Sequence, residues 1–429
     1  MRFIITNETL SSVIKVAAQV KKPESKIVLD LGSQDMTENV ACSLRLTTDA
    51  EQVSYNFVAK KPEDWDGSRV VTPVDATKFI SIVESVLSFN EDVYIEVANT
   101  ILEVGILGKV KTSLPIESQI PDAIKPLNFF YRFQIAGSEL STLLNKGCAF
   151  TEEAVETRGL HNAVIKLFPE SDEIKGFSTD GHTIACSKVK ATFTKKSGDE
   201  RQDALVAAMD AAVSEWCSQH TEQDKSAYNV IIPREAVQHL SRFAEGQKSV
   251  VVFVDSRFVH VQIGGKVLMY TIKQAGSQVT SIDQIEKMIF AEQNGSLCAD
   301  SQSLSKAISF INKNNAINGD TDKCPTKFEI REGKVLVARS GLEDKIESSI
   351  KTTDIKGNQF VAVYGKKLEA ALSALNKGNV VMYAGSKHIA LFNGTLDNID
   401  KNSYIFIFQV NLQVLEQEAD SESEETTEE

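Results

Sequence analysis

Residues 2–16, RFIITNETLSSVIKV, read as a short apolar strand, a polar turn and a helix whose apolar stripe falls at Leu10, Val13 and Ile14. The pattern returns at residues 131–146, YRFQIAGSELSTLLNK, with Leu140, Leu143 and Leu144. It returns again at residues 295–310, GSLCADSQSLSKAISF, with Leu304, Ala307 and Ile308. Positions i, i+3 and i+4 lie on one side of a 3.6-residue helix, so each segment predicts a helix with one buried face. The period, about 140 residues, is that of a whole domain and far above the 20 to 50 residues of solenoid repeats.

A second pattern also occurs three times, as an apolar strand running into another amphipathic helix. It reads VVTPVDATKFISIV at 70–83, NVIIPREAVQHLSRF at 229–243 and FVAVYGKKLEAALSAL at 360–375. The stripes are Phe79, Ile82 and Val83; Val237 and Leu240; and Leu368, Ala371 and Leu372. Alternating strands around tight turns follow each one, at 92–107, 249–270 and 379–392. Every third of the chain thus holds two helices among antiparallel strands. This is an α+β plan, in which helices cover one face of antiparallel sheets.

The two helix landmarks are 69 residues apart in the first third (Leu10 to Phe79), 97 in the second (Leu140 to Val237) and 64 in the last (Leu304 to Leu368). The middle excess coincides with Lys195–Asn229, where DERQDALVAAMDAAVSEWCSQH reads as an inserted helix between polar flanks. Boundaries fall at the proline-bearing SQIPDAIKPLN near 125 and the polar KQAGSQVTSIDQ near 277. The expected domains are 1–125, 126–276 with the insertion at about 195–229, and 277–414. A disordered acidic tail is expected over 415–429.

With 42% apolar and 24% charged residues, the 429-residue chain has the composition of an ordered globular protein. No run is apolar enough to span a membrane and the start carries no secretory pattern, so a cytoplasmic protein is expected, with no membrane partner. Six cysteines without a C-x-x-C pair suggest reduced structural thiols, and neither metal nor cofactor is expected. The net charge is −13, but Glu416–Glu429 holds eight acids and no base, leaving −5 for the body. Global attraction to nucleic acid is absent, whereas a locally basic face is compatible with this charge.

Between two alternating stretches lies GFSTDGHTIACSKV, residues 176–189. Its Asp180-Gly181 pair signals a hairpin turn. Read alone, the segment is a simple turn, the rim of a binding site, or an Asp180–His182 catalytic pair. No nucleophile motif such as G-x-S-x-G accompanies that pair.

Here the sequence resembles the bacterial β sliding clamps, the processivity subunits of DNA polymerase III. TDGHTIA (179–185) matches a T-D-G-H-R-L-A type motif, and IIPREAV (231–237) an I-[IV]-P-R type junction. ETRGLHNAV (156–164) is similar to the E-T-R segment, and MRFIITNETL (1–10) and YIFIFQVNL (404–412) to the first and last elements. The resemblance covers residues 1 to about 412, in order. It implies three repeated clamp domains, each with two helices packed on antiparallel sheets, forming half of a ring. A homodimer would close around double-stranded DNA without sequence preference, serving a DNA polymerase and a clamp loader, with no chemistry of its own.

On this resemblance the repeat helices present Lys15, Lys21, Lys22, Lys78, Lys146, Arg234, Arg242, Lys306, Lys313, Lys366, Lys367 and Lys377 to phosphates. Each is equally consistent with a solvated helix face. A partner peptide would dock in an apolar pocket between the middle and last domains. Its candidates are Thr179, Gly181, His182 and Ile184; Pro233, Val237 and Leu240; and Phe406, Phe408 and Val410. Ordinary core packing is the competing reading for the apolar members.

The chain departs from the family pattern in several places. Thr183 stands where many clamps have arginine, and Leu160 and His161 occupy the usual apolar wall. Phe408, Gln409, Val410, Asn411 and Leu412 replace the usual ending, and the insertion and acidic tail are additions. The apolar pair that seals the ring maps onto Lys109 and Lys111, opposite Phe310 and Ile311, which predicts a more polar, salt-sensitive interface. A second reading is therefore a clamp-derived scaffold that gathers partners without encircling DNA. A third, a hydrolase using Asp180 and His182, lacks a metal cluster, a phosphate loop and an activated nucleophile.

Overall fold

The computed structural model describes residues 1–124, 129–150, 162–219, 228–275, 286–287, 295–317, 325–331, 334–339, 347–350, 352–357, 359–375, 378–385 and 387–408. Its first stretch runs β1 (Arg2–Ile5), α1 (Asn7–Val20), β2 (Lys26–Met36), β3 (Asn39–Thr47), β4 (Glu51–Lys60) and β5 (Val70–Asp75). It continues through α2 (Ala76–Leu87), β6 (Val93–Ala98), β7 (Ile101–Ile106) and β8 (Val110–Pro115). The second runs β9 (Tyr131–Ile135), α3 (Gly137–Thr142), a π turn (Leu143–Gly147), β10 (Asn162–Phe168), β11 (Glu173–Thr179), β12 (Thr183–Lys190) and β13 (Thr192–Phe193). There follow α4 (Glu200–Gln219), β14 (Tyr228–Pro233), α5 (Arg234–Ala244), β15 (Val250–Val254), β16 (Phe258–Ile263) and β17 (Leu268–Lys273). The third runs β18 (Gly295–Asp300), α6 (Ser301–Ile317), β19 (Pro325–Arg331), β20 (Lys334–Arg339), β21 (Glu347–Ile350), β22 (Thr352–Gly357) and β23 (Gln359–Tyr364). It ends with α7 (Gly365–Ala374), β24 (Asn379–Ala384), β25 (His388–Thr395) and β26 (Asn398–Phe408). The threefold α+β plan read from the sequence is present.

Local chemistry explains where the helices begin. The Thr6 hydroxyl accepts the Thr9 N–H at the start of α1, Asp75 accepts that of Lys78 at 2.8 Å for α2, and Asp300 that of Ser303 at 2.8 Å for α6. The stripes are buried as expected, with Leu10, Val13, Phe79, Val83, Leu143, Leu304, Ile308, Leu368 and Ala371 fully enclosed. On α2 the buried stripe is Phe79, Ile80, Val83 and Val86, while Ile82 is only half-buried, which corrects the sequence-derived stripe. The helix predicted to continue through Lys146 widens instead into the π turn. There Gly147 approaches β11 so closely that a Cβ would lie 2.6 Å from the Gly176 carbonyl oxygen.

By its internal contacts the chain divides into two compact units. The first comprises Met1–Ser141, Phe168–Glu173 and Lys190–Ala275; the second comprises Thr142–Leu167, Ile174–Val189 and Gly276–Glu429. The middle repeat contributes to both, for a reason visible in strand pairing. In the first unit β17 pairs antiparallel with β4, Tyr270 opposite Val53, so first-repeat and second-repeat strands share one 13-stranded sheet. In the second unit β12 pairs antiparallel with β26, Ile184 opposite Phe406, giving the strand order β10-β11-β12-β26-β25-β24-β18-β22. A separate sheet there runs β21-β20-β19-β23.

The inserted helix α4 belongs to the first unit. Its own Val206 and Met209 are buried, and Trp216 packs on Phe130 and Tyr228 at 5.8 and 5.3 Å between ring centroids. Cys42, Cys148, Cys186 and Cys298 are buried free thiols, and burial pushes Cys42 and Cys186 up to about 11 and Cys148 higher still. Cys42, Cys148 and Cys186, held so far from ionisation, are packing residues at neutral pH. Among the described residues no helix is long and apolar enough to cross a membrane.

Candidate functional site

The TDGH segment folds as the tight turn joining β11 to β12. Gly181 has φ +87°, a conformation that disfavours side chains, and its N–H donates to Thr179 Oγ1 at 3.1 Å. The Asp180 N–H donates to the Thr183 carbonyl at 3.2 Å. Asp180 Oδ1 accepts the backbone N–H groups of His182 and Thr183 at 3.0 and 2.7 Å, while Oδ2 accepts from Lys367 Nζ at 2.6 Å. The carboxylate is thus committed to shaping the turn. The exposed His182 ring lies edge-on to Tyr364, 5.5 Å between centroids, so Asp180 and His182 do not form an imidazole–carboxylate pair.

On its other side the turn is held by the last strand, where the Phe408 N–H donates to the His182 carbonyl at 2.9 Å. Strand alternation then sorts the apolar candidates. Ile184 and Phe406 face the cluster containing Phe392, Val381 and Tyr404, whereas Ala185, Ile405 and Ile407 face the cluster under α6 and α7. Phe406 is fully enclosed, stacked on His388 at 4.6 Å, and Ile184 is 4% exposed, so both are core residues beneath the hairpin. Phe408 is half-buried and packs edge-on to Phe406 at 4.7 Å, which leaves it as the aromatic surface of this face. Thr183, at the departure from the family pattern, is fully buried.

Of the remaining pocket candidates, Leu160, His161 and Val410 lie outside the described residues. In the first unit Pro233 ends β14 half-buried, and Val237 and Leu240 are buried on α5 at 6% and 2% exposure.

The basic candidates differ in exposure. Lys15, Lys21, Lys78, Arg242, Lys306, Lys313 and Lys366 are exposed on or beside their helices, while Lys146 and Arg234 are half-buried. Lys22 is in an ion pair with Glu235 at 2.6 Å, which raises the lysine and lowers the carboxylate from their ordinary values. Lys367 is engaged with Asp180, and Lys377 lies outside the described residues.

At the candidate ring interface Lys109 pairs with Glu91, and Lys111 with Glu103 at 3.3 Å. Phe310 is 53% exposed, but Ile311 is completely buried and is therefore not an interface residue. It continues the α6 stripe of Leu304, Ala307 and Ile308, and its neighbour Phe310 points about 100° away around the helix. Sequence reading missed Leu107 and Phe89, each about half exposed, which flank the Lys109–Glu91 pair. Two lone apolar residues in turns carry no periodic signal.

Sequence reading also missed a buried polar cluster in the first unit. Glu51 is 2% exposed and accepts from the Tyr270 hydroxyl, and its Oε1 lies 3.0 Å from His239 Nδ1. Burial, followed by the Glu51 charge, pushes the Tyr270 phenol well up. The partners are 188 and 219 residues from Glu51, so no local pattern announces them.

No family model and no curated protein sequence matches this chain. Solved structures do match. The DNA polymerase III subunit beta of Pseudomonas aeruginosa superposes with a TM-score of 0.75 at 15% identity, covering 96% of this chain and 100% of that one. The DNA polymerase sliding clamp of Bacillus subtilis gives 0.74 at 14%, covering 96% and 99%. A Helicobacter pylori beta clamp, solved in complex with carprofen, gives 0.74 at 12%, covering 96% and 100%. The chain has the sliding-clamp fold along nearly its whole length.

Proposed function

We propose that this chain is a non-catalytic sliding clamp of the cytoplasm. Two copies close around duplex DNA and keep a replicative polymerase on its template, after placement there by a clamp loader. The observation that carries this reading is the match of the entire fold to entire clamp chains, 96% of this one and 100% of the P. aeruginosa subunit. The TDGH turn supports it, since this clamp-like motif is a hydrogen-bonded turn with the aromatic Phe408 beside it. Exposed cations on five helices fit sequence-independent phosphate contacts on a protein whose net charge is −13.

Partner peptides dock on the hairpin face, with apolar anchors against Phe408 and His182. Phe310 on α6, and Leu107 and Phe89 in the first unit, supply apolar surface for closure by a second copy. Light scattering is expected to give a molar mass near twice 47.2 kDa at micromolar concentration. A mass of 47.2 kDa at all concentrations and salt levels would instead favour a clamp-derived scaffold that recruits partners without encircling DNA. The observation favouring that alternative is that Lys109 and Lys111 are matched to acids of their own chain.

A further inference from the structure

We infer that Lys367 is a positioning residue for the hairpin and not a phosphate contact; this rests on the docking face proposed above. The fold places Lys367 in the first turn of α7, among the helix cations that the family resemblance assigns to DNA. A lysine there opposes the positive end of the helix dipole. Its position is explained by its partner, Asp180, whose Oδ2 accepts from Lys367 Nζ at 2.6 Å.

That carboxylate is the organising group of the turn. Its Oδ1 accepts the N–H groups of His182 and Thr183, and its side chain is only 9% exposed, so little water is at hand to replace a lost cation. Tyr364, three residues before Lys367, caps the same helix and lies edge-on to the His182 ring. Residues 364 and 367 thus grip the turn together, one through the ring of His182 and one through the carboxylate of Asp180. On the other side the turn is held by the Phe408 N–H. Removing the Lys367 charge leaves an enclosed carboxylate without its counter-ion. The turn that presents Thr179, Gly181 and His182 then loses its fixed geometry.

The test compares Lys367→Gln and Lys367→Arg with the full wild-type chain. Backbone hydrogen exchange is read at His182 and Thr183, and binding of a fluorescein-labelled short peptide carrying apolar anchors is read by anisotropy. In K367Q the two amides are expected to exchange about tenfold faster and the peptide to bind about tenfold more weakly, with the thermal midpoint lowered by no more than about 5 °C. K367R restores both, and the salt dependence of DNA binding keeps its wild-type slope in K367Q, because no phosphate contact is lost. Wild-type exchange and wild-type affinity in K367Q would overturn the inference. So would equally accelerated exchange throughout the unit with a midpoint lowered by about 10 °C or more, which would assign the lysine to general stability. If the wild-type chain itself fails to bind the peptide, the docking reading is wrong, while the exchange at His182 and Thr183 still decides whether Lys367 positions the turn.

Discussion

Replacing Phe406 by alanine is expected to destabilise the second unit by about 3–5 kcal/mol, the range for emptying a phenylalanine site in a packed core. Phe406 is fully enclosed, stacks on His388, supports Phe408 edge-on and faces Ile184 across the β12–β26 pair. Several neighbours therefore lose contacts at once, and strands paired on both sides of β26 leave the backbone little room to collapse into the cavity. For a unit of this size the loss corresponds to a thermal midpoint lower by roughly 10 °C. Phe408→Ala provides the contrast, because that ring is half-buried and cushioned on one side only. It is expected to cost little stability and to weaken binding of the apolar-anchored peptide by tenfold or more, about 1.4 kcal/mol or above. Urea unfolding and peptide anisotropy on the two variants check the pair. Equal stability losses would remove the distinction drawn here between a core residue and a surface residue on one strand.

The repeat architecture was legible because it is written in periodicity. Leu10, Val13 and Ile14 recur as Leu140, Leu143 and Leu144 and as Leu304, Ala307 and Ile308, and these residues are buried. Where the reading failed, tertiary approach or helix phase decided. The π turn at Leu143–Gly147 answers to the proximity of Gly176, 29 positions beyond Gly147, and nothing local encodes it. Ile311 was placed on a surface through the family pattern, although its own spacing from Leu304 and Ile308 puts it in the core. Pairing across sheets explains why the middle repeat divides between two units. A one-dimensional reading finds the sheet-forming segments but not which neighbour they join.

The candidate site shows the same limit more sharply. The TDGH segment gives away its turn, since Asp-Gly predicts the positive φ found at Gly181. It does not reveal that Asp180 is bound to Lys367, 187 residues later, nor that Lys22 is bound to Glu235. A lysine in a helix reads alike whether it waits for phosphate or holds a carboxylate. Only contact separates the two, and contact moves Lys22 and Lys367 out of the pool of uncommitted cations while leaving Lys15, Lys78, Lys306 and Lys313 exposed.

Retention on closed DNA is the second large effect. With a net charge of −13 the protein has no global attraction for a polyanion, and any contacts from scattered helix lysines would be weakened steeply by salt. A long residence on DNA at high ionic strength therefore requires a topological link rather than affinity, because a closed ring needs no strong contact to stay in place. Labelled protein placed by a clamp loader onto a nicked plasmid, washed at high salt and then divided, gives the most direct test. The intact circle is expected to keep the protein, and linearisation by a single restriction cut to release nearly all of it. Equal loss from circle and linear molecule would contradict encirclement, and with it the clamp function proposed for this fold.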